Sequence, residues 1–239
     1  MTSTSLIIGG TSGIGLATAL RLAAAGDTVH IAGRRAERVR ALAAEHPQLI
    51  GHALDAADRE ALDAVMAELG TIDRLIVTVA GSAGAGAIAG LDLDTLRRAF
   101  DAKYWPTVAS IQAALPHLAS DGSITLIGAI TARMGMPETA GLGSLNAAVE
   151  GLVRPLAAEL APIRVNAVSP GGVDTPWWDF LPAEAREQFF AQTAATLPVR
   201  HVASADEVAE AVVFAATSRN VTGTVIETDG GAHLGSIAA

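Results

Sequence analysis

"IIGGTSGIGLATA", residues 7–19, sets Gly9, Gly13 and Gly15 between a buried β-branched run and an alanine- and leucine-rich stretch of helical period. Glycine lets a chain turn tightly and lets main-chain N–H groups approach an anion at the positive end of the following helix. Thr11, Ser12 and Ile14 complete the turn. A lone glycine triad is often only a turn. A strand before it and a helix after it make this one a pyrophosphate-binding βα unit of a doubly wound sheet.

The pattern repeats outward. Short β-branched runs at "SLIIG", "TVHIAG", "LIGHAL", "DRLIVTV", "SITLIG", "IRVNAVS" and "GTVIETDG" alternate with helical stretches near 13–25, 35–45, 58–69, 94–119, 142–160 and 204–217. Parallel strands joined by crossover helices read this way, so the expected fold is α/β: one Rossmann-type domain over 1–239, a doubly wound parallel sheet of about seven strands with helices on both faces. No repeat, low-complexity tract or linker marks a domain boundary. Residues 176–198 interrupt the rhythm with a proline-flanked amphipathic insert carrying two tryptophans and three phenylalanines, which reads as a lid. Core packing or a subunit contact is the alternative for those aromatics. Pro106, inside 94–119, removes a hydrogen bond to the Ala102 carbonyl and is expected to bend the axis at Lys103. Pro155, inside 142–160, requires a kink that Gly151 can help to accommodate.

Composition narrows the function. With 239 residues, 50% hydrophobic and 17% charged, the chain can bury a large core. A net charge of −9 opposes nucleic acid and anionic membrane, leaving small molecules as the expected partners. There is no cysteine, so disulfide and thiolate chemistry are excluded. The opening "MTSTSLIIGG" has neither a basic n-region nor a long apolar h-region, and no apolar run reaches the ~18 residues of a membrane span. A soluble cytoplasmic protein is the expectation. The six histidines show no metal-ligand spacing, so no metal site is expected.

The second strand ends "IAGRRAER", residues 31–38, where a reader of plain NAD usually offers a carboxylate to the adenosine ribose. Arg34 and Arg35 instead present guanidinium forks suited to a 2′-phosphate, with the Ser12 hydroxyl as a third donor. The cofactor expected is therefore NADP(H). A solvated helix start is the other reading of the two arginines.

These residues, with those that follow, resemble the short-chain dehydrogenase/reductase family over essentially the full chain. The glycine turn is similar to its GxxxGxG. "LDAAD" places Asp55 where that family contacts the adenine. "VAG", with Ala80 and Gly81, is similar to its strand-four motif, although Thr78 and Val79 stand where two asparagines are usual, which weakens the expected tie across the sheet. "IRVNAVSPGGVDTP" and "VTGTVIETDGG" resemble its late signatures. The resemblance implies that Pro170, Gly171, Val173 and Thr175 flank the nicotinamide carboxamide. It also implies that the long helices near 94–119 and 142–160 build a homodimer or homotetramer.

That family's chemistry uses a serine, a tyrosine, a lysine four residues after the tyrosine, and an asparagine on the preceding helix. In "ITLIGAITARMGMPETAGLGSLNAAVEGL" the tyrosine position carries Leu142, the lysine position Asn146 and the serine position Ala129; the asparagine position, in "FDAKYW", carries Lys103. Leucine and alanine cannot exchange a proton, so the tyrosine mechanism cannot operate. Sliding Thr131 toward the serine position would still leave no proton donor. The lysine and the asparagine have, in effect, exchanged helices.

Lys103 is the chain's only lysine, among fifteen arginines. If the fold holds, Lys103 and Asn146 meet beside the nicotinamide, and burial among apolar neighbours lowers the amine's pKa, so that it acts as an acid or holds the cofactor. Retention by accident on an exposed helix face is the alternative. Tyr104, one residue on, points about 100° away and is expected to pack. Arg133, Glu138, Asp174, Trp177 and Trp178 are candidates to line a substrate mouth. "SADEVAEAV", after His201, resembles a helix N-cap.

The function expected is an NADP(H)-dependent oxidoreductase that reduces a small carbonyl, imine or activated alkene by a non-standard mechanism. The alternatives are a catalytically inactive NADP-binding sensor or scaffold, and a lyase or isomerase that keeps the nucleotide structurally.

Overall fold

Seven parallel strands form the central sheet of the computed structural model, which describes residues 2–81 and 83–235. In chain order the strands are β1 (Thr4–Ile8), β2 (Thr28–Gly33), β3 (Leu49–Ala53), β4 (Ile72–Val77), β5 (Leu118–Ile127), β6 (Arg164–Pro170), β7 (Val173–Asp174), β8 (Ala203–Ser204) and β9 (Val225–Thr228). The main sheet runs β3-β2-β1-β4-β5-β6-β9, and the two-residue strands β7 and β8 pair with each other outside it. The helices are α1 (Gly13–Ala24), α2 (Ala36–Glu45), α3 (Arg59–Leu69), α4 (Leu93–Ala114), α5 (Ala140–Gly151), α6 (Val153–Glu159), α7 (Ala183–Thr196) and α8 (Ala205–Thr217).

Side chains alternate across each strand, and both sheet faces are covered. Leu6, Ile8, Leu75, Val77, Ile124 and Leu126 face one way and pack with Leu62 and Met66 of α3, Ile111 of α4 and Val149 of α5. Ile7, Ile31, Ile76 and Val168 face the other way and meet Leu22 of α1, Leu42 of α2 and Val212 of α8. Burial on both faces is why the strands read as nearly unbroken apolar runs. The start of α8 carries the expected cap: Ser204 accepts from the Glu207 amide, and the Glu207 carboxylate accepts from the Ser204 amide.

Two helices differ from their sequence reading. The stretch expected at 94–119 ends at Ala114, passes through a turn of 3-10 helix at Leu115–His117 that contains Pro116, and becomes β5 at Leu118. Proline has no N–H with which to continue the helix. The stretch expected at 142–160 is two helices parted at Leu152, and Pro155 is the third residue of the second. There its missing N–H falls among the first-turn donors that have no helical acceptor, so the split removes the conflict. By contrast α4 continues through Pro106. The hydroxyls of Thr107 and Ser110 donate to the carbonyls of Lys103 and Pro106, each at 2.7 Å.

The strand order reverses between β1 and β4. In open parallel sheets, ligands bind in the crevice at the carboxyl ends of the strands on either side of such a reversal. The glycine turn, the Arg34–Arg35 pair, Asp55, Ala80 and Gly81, and the segment from Pro170 each lie at or beyond the carboxyl end of a strand of this sheet.

Candidate active site

β1 ends at Ile8 and the chain turns through Gly9 and Gly13, whose φ values of +87° and +50° suit glycine. Gly15 is constrained by space: a Cβ there would stand 2.5 Å from both the Gly9 carbonyl oxygen and Thr78 Oγ1. The turn is thereby pressed against the end of β4. The Thr78 hydroxyl donates to the Ile8 carbonyl at 3.1 Å, a tie between β1 and β4 made without asparagine. Ser12 stands at the N-cap of α1 in extended conformation and makes no side-chain cap bond. Its hydroxyl and the first main-chain N–H groups of α1, Ile14 and Gly15 included, are left for an anion.

The other predicted contacts lie at or beyond the carboxyl ends of β1, β2, β3, β4 and β6. Thr11 lies over Gly33, where a Cβ would meet its Cγ2 at 2.6 Å. Arg34 and Arg35 are exposed after β2 and make no ion pair among the described residues, whereas Arg38 reaches the Thr11 carbonyl at 3.4 Å. Asp55 is exposed just beyond β3 and accepts from the Ala57 amide at 3.0 Å. Ala80 and Gly81 follow β4. Pro170 closes β6, Gly171 packs against Asp229, and Val173 is buried in β7. Thr175 comes back over the glycine turn, its Cβ 3.3 Å from where a Cβ of Gly13 would be.

Lys103 and Asn146 meet. Lys103, 7% exposed, donates from Nζ to Asn146 Oδ1 at 2.6 Å and to the Gly128 carbonyl at 3.2 Å. Asn146 Nδ2 donates to Thr131 Oγ1 and to the Leu142 carbonyl, each at 3.0 Å. The opposite amide orientation would turn an NH2 toward the ammonium, so the network itself fixes which way Asn146 points. Burial pushes the Lys103 pKa down to about 8, against the pull of the Glu150 carboxylate, which raises it. An ammonium has three N–H donors, and the third has no partner among the described residues. Ala129 follows β5 by two residues and Leu142 lies in the first turn of α5, and neither side chain carries a group that can exchange a proton. Tyr104 packs against the core and edge-on to Trp105.

The helix of the insert lies outside the core, since no residue of α7 is buried, and the insert is tied down at its end by the buried Leu197. Its aromatic rings pack on one another, with Trp178 within 4.7 Å of both Trp177 and Phe189, centroid to centroid. Arg186 anchors it by bonding Asp174, Asp179 and the Thr175 carbonyl. The Trp177 indole reaches the Gly81 carbonyl at 3.4 Å, so the insert touches the segment after β4. A cavity of about 540 Å³, lined by Ile88, Met134, Met136 and Thr131 among others, opens beyond the Thr131 hydroxyl. Three partners escape sequence reading: the Gly128 carbonyl, the Thr131 hydroxyl in contact with Asn146, and Glu150. Only for Glu150 is there a signal, its i, i+4 spacing from Asn146.

A doubly wound parallel sheet with a glycine turn at its reversal point is a Rossmann-type dinucleotide domain. Comparison with known proteins agrees. The chain matches the family described as Enoyl-(Acyl carrier protein) reductase over residues 9–233. It is 31% identical over 240 residues to the cis-4-hydroxycyclohexanecarboxylate dehydrogenase of Sinomonas cyclohexanicum, with 95% of each chain covered. It is 31% identical over 249 residues to the 3-oxoacyl-(acyl-carrier-protein) reductase FabG of Thermotoga maritima, covering 95% of this chain and 96% of that one. The solved structure of a small-chain dehydrogenase in complex with NADPH superposes at a TM-score of 0.88 and 34% identity, covering 98% of this chain and 100% of that one. The protein belongs to the short-chain dehydrogenase/reductase family, a family of oxidoreductases. No helix among the described residues is long and apolar enough to cross a membrane.

Proposed function

We propose that this chain is an NADP(H)-dependent oxidoreductase that reduces a small carbonyl, imine or activated alkene, with Lys103, or a water it orients, as proton donor. The residues present fit the dinucleotide. The turn requires glycine at 9, 13 and 15, the start of α1 offers uncapped N–H groups, and Arg34 and Arg35, exposed after β2 and without ion pairs among the described residues, are the cations this reading gives to the 2′-phosphate. The small-chain dehydrogenase of similar structure binds NADPH. On this reading Gly9 to Gly15 hold the pyrophosphate, Asp55 the adenine, Ala80 and Gly81 the ribose side, and Pro170, Gly171, Val173 and Thr175 the carboxamide. The insert at 176–198 acts as a lid.

Bound there, NADPH supplies the hydride. Lys103 supplies the proton, from the N–H that neither Asn146 nor Gly128 engages. Its pKa of about 8 leaves it mostly protonated at neutral pH yet close enough to it for efficient transfer. Asn146 keeps the amine in place through Thr131 and the Leu142 carbonyl, and Leu142 and Ala129 take no part in proton exchange. The family's Asn-Ser-Tyr-Lys set is replaced by Lys103, Ala129, Leu142 and Asn146, so the mechanism is non-standard. Copies pair through α4, which leaves Trp105 exposed, and α5.

The observation that carries this reading is the buried Lys103–Asn146 contact at 2.6 Å. Its test is a turnover screen with NADPH against carbonyls, imines and enones, run with Lys103→Met alongside. The substitution should leave NADPH affinity within a few-fold and reduce turnover about 10²-fold or more. Equal turnover in both proteins removes the lysine from the mechanism. Tight NADPH binding with no consumption across the panel would make the chain a sensor or scaffold instead, as the apolar Leu142 and Ala129 would then suggest.

A further inference from the structure

Glu150 is a carboxylate that the proposed chemistry does not use. It lies on α5 one helical turn beyond Asn146, on the same face. Its side chain is 8% exposed. Oε2 accepts from Arg133 Nε at 3.0 Å, whereas Oε1 is buried with no hydrogen-bond partner among the described residues. A buried carboxylate oxygen left unpaired is costly.

The compensation lies across Gly128. Its carbonyl is one of the two acceptors of Lys103 Nζ, and a Cβ built on it would stand 2.5 Å from Glu150 Oε1 and 3.1 Å from Cδ. Glycine at 128 therefore lets the carboxylate stand against the very residue that the ammonium grips. We propose that Glu150 is a positioning residue for Lys103, a buried counter-ion that acts from behind Gly128 to keep the amine protonated. This inference rests on the acid role proposed for Lys103.

The surrounding charges support it. Arg133 bonds both Glu150 and Glu227 of β9, so one cation serves two carboxylates and the trio carries an excess negative charge that Lys103 offsets. At the outer end His233 contacts Glu227 and Asp229. Arg154, one turn beyond Glu150, lines the same cavity of about 410 Å³ and forms no ion pair among the described residues. On the other side of α4, Arg59 and Asp63 of α3 pair with each other near Gln112, and Asp101 of α4 itself is exposed. Among these groups it is Glu150 whose charge acts on Lys103, opposing the effect of burial.

Because Lys103 is the only lysine, protein grown on lysine labelled with 13C at Cε gives one lysine signal, whose pH titration reads Nζ directly, without cofactor or substrate. The wild-type midpoint should fall at about 8. Glu150→Gln should cut the proton affinity about tenfold, and Arg133→Met, which releases Glu150 from its competing cation, should raise it. A packing role for Glu150 gives no such opposed pair of shifts. Affinities within about twofold of wild type in both variants would overturn the proposal. If Glu150→Gln does not fold, Arg133→Met decides alone, by an upward shift or none. The pH profile of turnover should follow the titration midpoint from variant to variant. A lysine that titrates as described in a protein without turnover would keep the Glu150 assignment and end the acid role.

Discussion

The buried amine has a thermodynamic signature that needs no knowledge of the substrate. In the folded chain Lys103 has a pKa lowered by burial to about 8, whereas in the unfolded chain it takes the ordinary lysine value of 10.5. Below pH 8 both states hold the proton and Lys103 contributes no pH dependence. Between 8 and 10.5 the folded state has released a proton that the unfolded state still binds, so stability rises with pH through this window. Relative to Lys103→Met, in which every other titrating group is retained, the wild type should gain between about 1 and 2 kcal/mol from pH 7 to pH 9, and roughly 3 kcal/mol once both states are deprotonated. Urea unfolding of the two proteins at pH 7, 8 and 9, followed by tryptophan fluorescence, measures the difference. Because the comparison is between two pH values, the packing cost of the methionine itself cancels. A gap between the proteins that stays constant within about 0.5 kcal/mol would mean that Lys103 is solvated in the folded state, and the buried pair with Asn146 would not exist.

The remaining predictions concern other parts of the chain. Burial lowers the pKa of both His30 and His52, which share a 2.9 Å hydrogen bond between β2 and β3, so their contribution to stability is intact above the unfolded value of 6.5 and is lost as pH falls below it. Thermal melts from pH 7 to pH 5 should show the wild type losing more stability than His30→Leu/His52→Leu; parallel curves would reject this. Arg34→Ala should weaken NADPH at least about tenfold while leaving NADH within a few-fold, as read by fluorescence titration, because it removes a charge-assisted fork from the 2′-phosphate. Equal losses for the two nucleotides would take Arg34 away from that phosphate. Gly15→Val should cost several kcal/mol or abolish dinucleotide binding, since even a Cβ there lies 2.5 Å from the Gly9 carbonyl; wild-type stability and affinity in that variant would refute the packing of the turn against β4.

The glycine turn, the strand series and the Ser204 cap are legible in the sequence because each depends on residues close together in the chain. The helix ends are not. In 142–160 the alanine and leucine pattern continues across Leu152, and only the backbone shows that a new helix begins at Val153 with Pro155 in its first turn. The meeting of Lys103 and Asn146 is legible through the positions they occupy in the family's pattern, not through spacing, since they lie 43 residues apart. Glu150 is illegible for a different reason. Its i, i+4 spacing from Asn146 puts it on the right helix face, but its importance depends on how closely a side chain can approach Gly128, a tertiary distance that this spacing does not encode. The tie between β1 and β4 shows the same limit: the absence of asparagine at 78 suggests a weakened sheet, yet the Thr78 hydroxyl makes a bond to the Ile8 carbonyl.

On the proposed reading, the exchange of lysine and asparagine between α4 and α5 constrains the chemistry more than the loss of the tyrosine alone. The cation is retained, but it comes from the other helix and is already committed to Asn146 and Gly128, so among the described residues one N–H remains to donate. The amine has no phenol to activate and no serine hydroxyl beside it to help orient a carbonyl oxygen. Transition-state stabilisation of a developing alkoxide would therefore rest on a single donor, whereas an ordinary carbonyl reduction commonly draws on more than one. Substrates that arrive already polarised, such as an iminium, or that develop charge away from the donor, such as an activated alkene, need less from this pocket. Within the turnover screen the order of rates should then be imine or enone first and simple ketone last. The reverse order would mean that a further donor enters the site when substrate binds, with the Thr131 hydroxyl, already bonded to Asn146, the nearest group able to supply it.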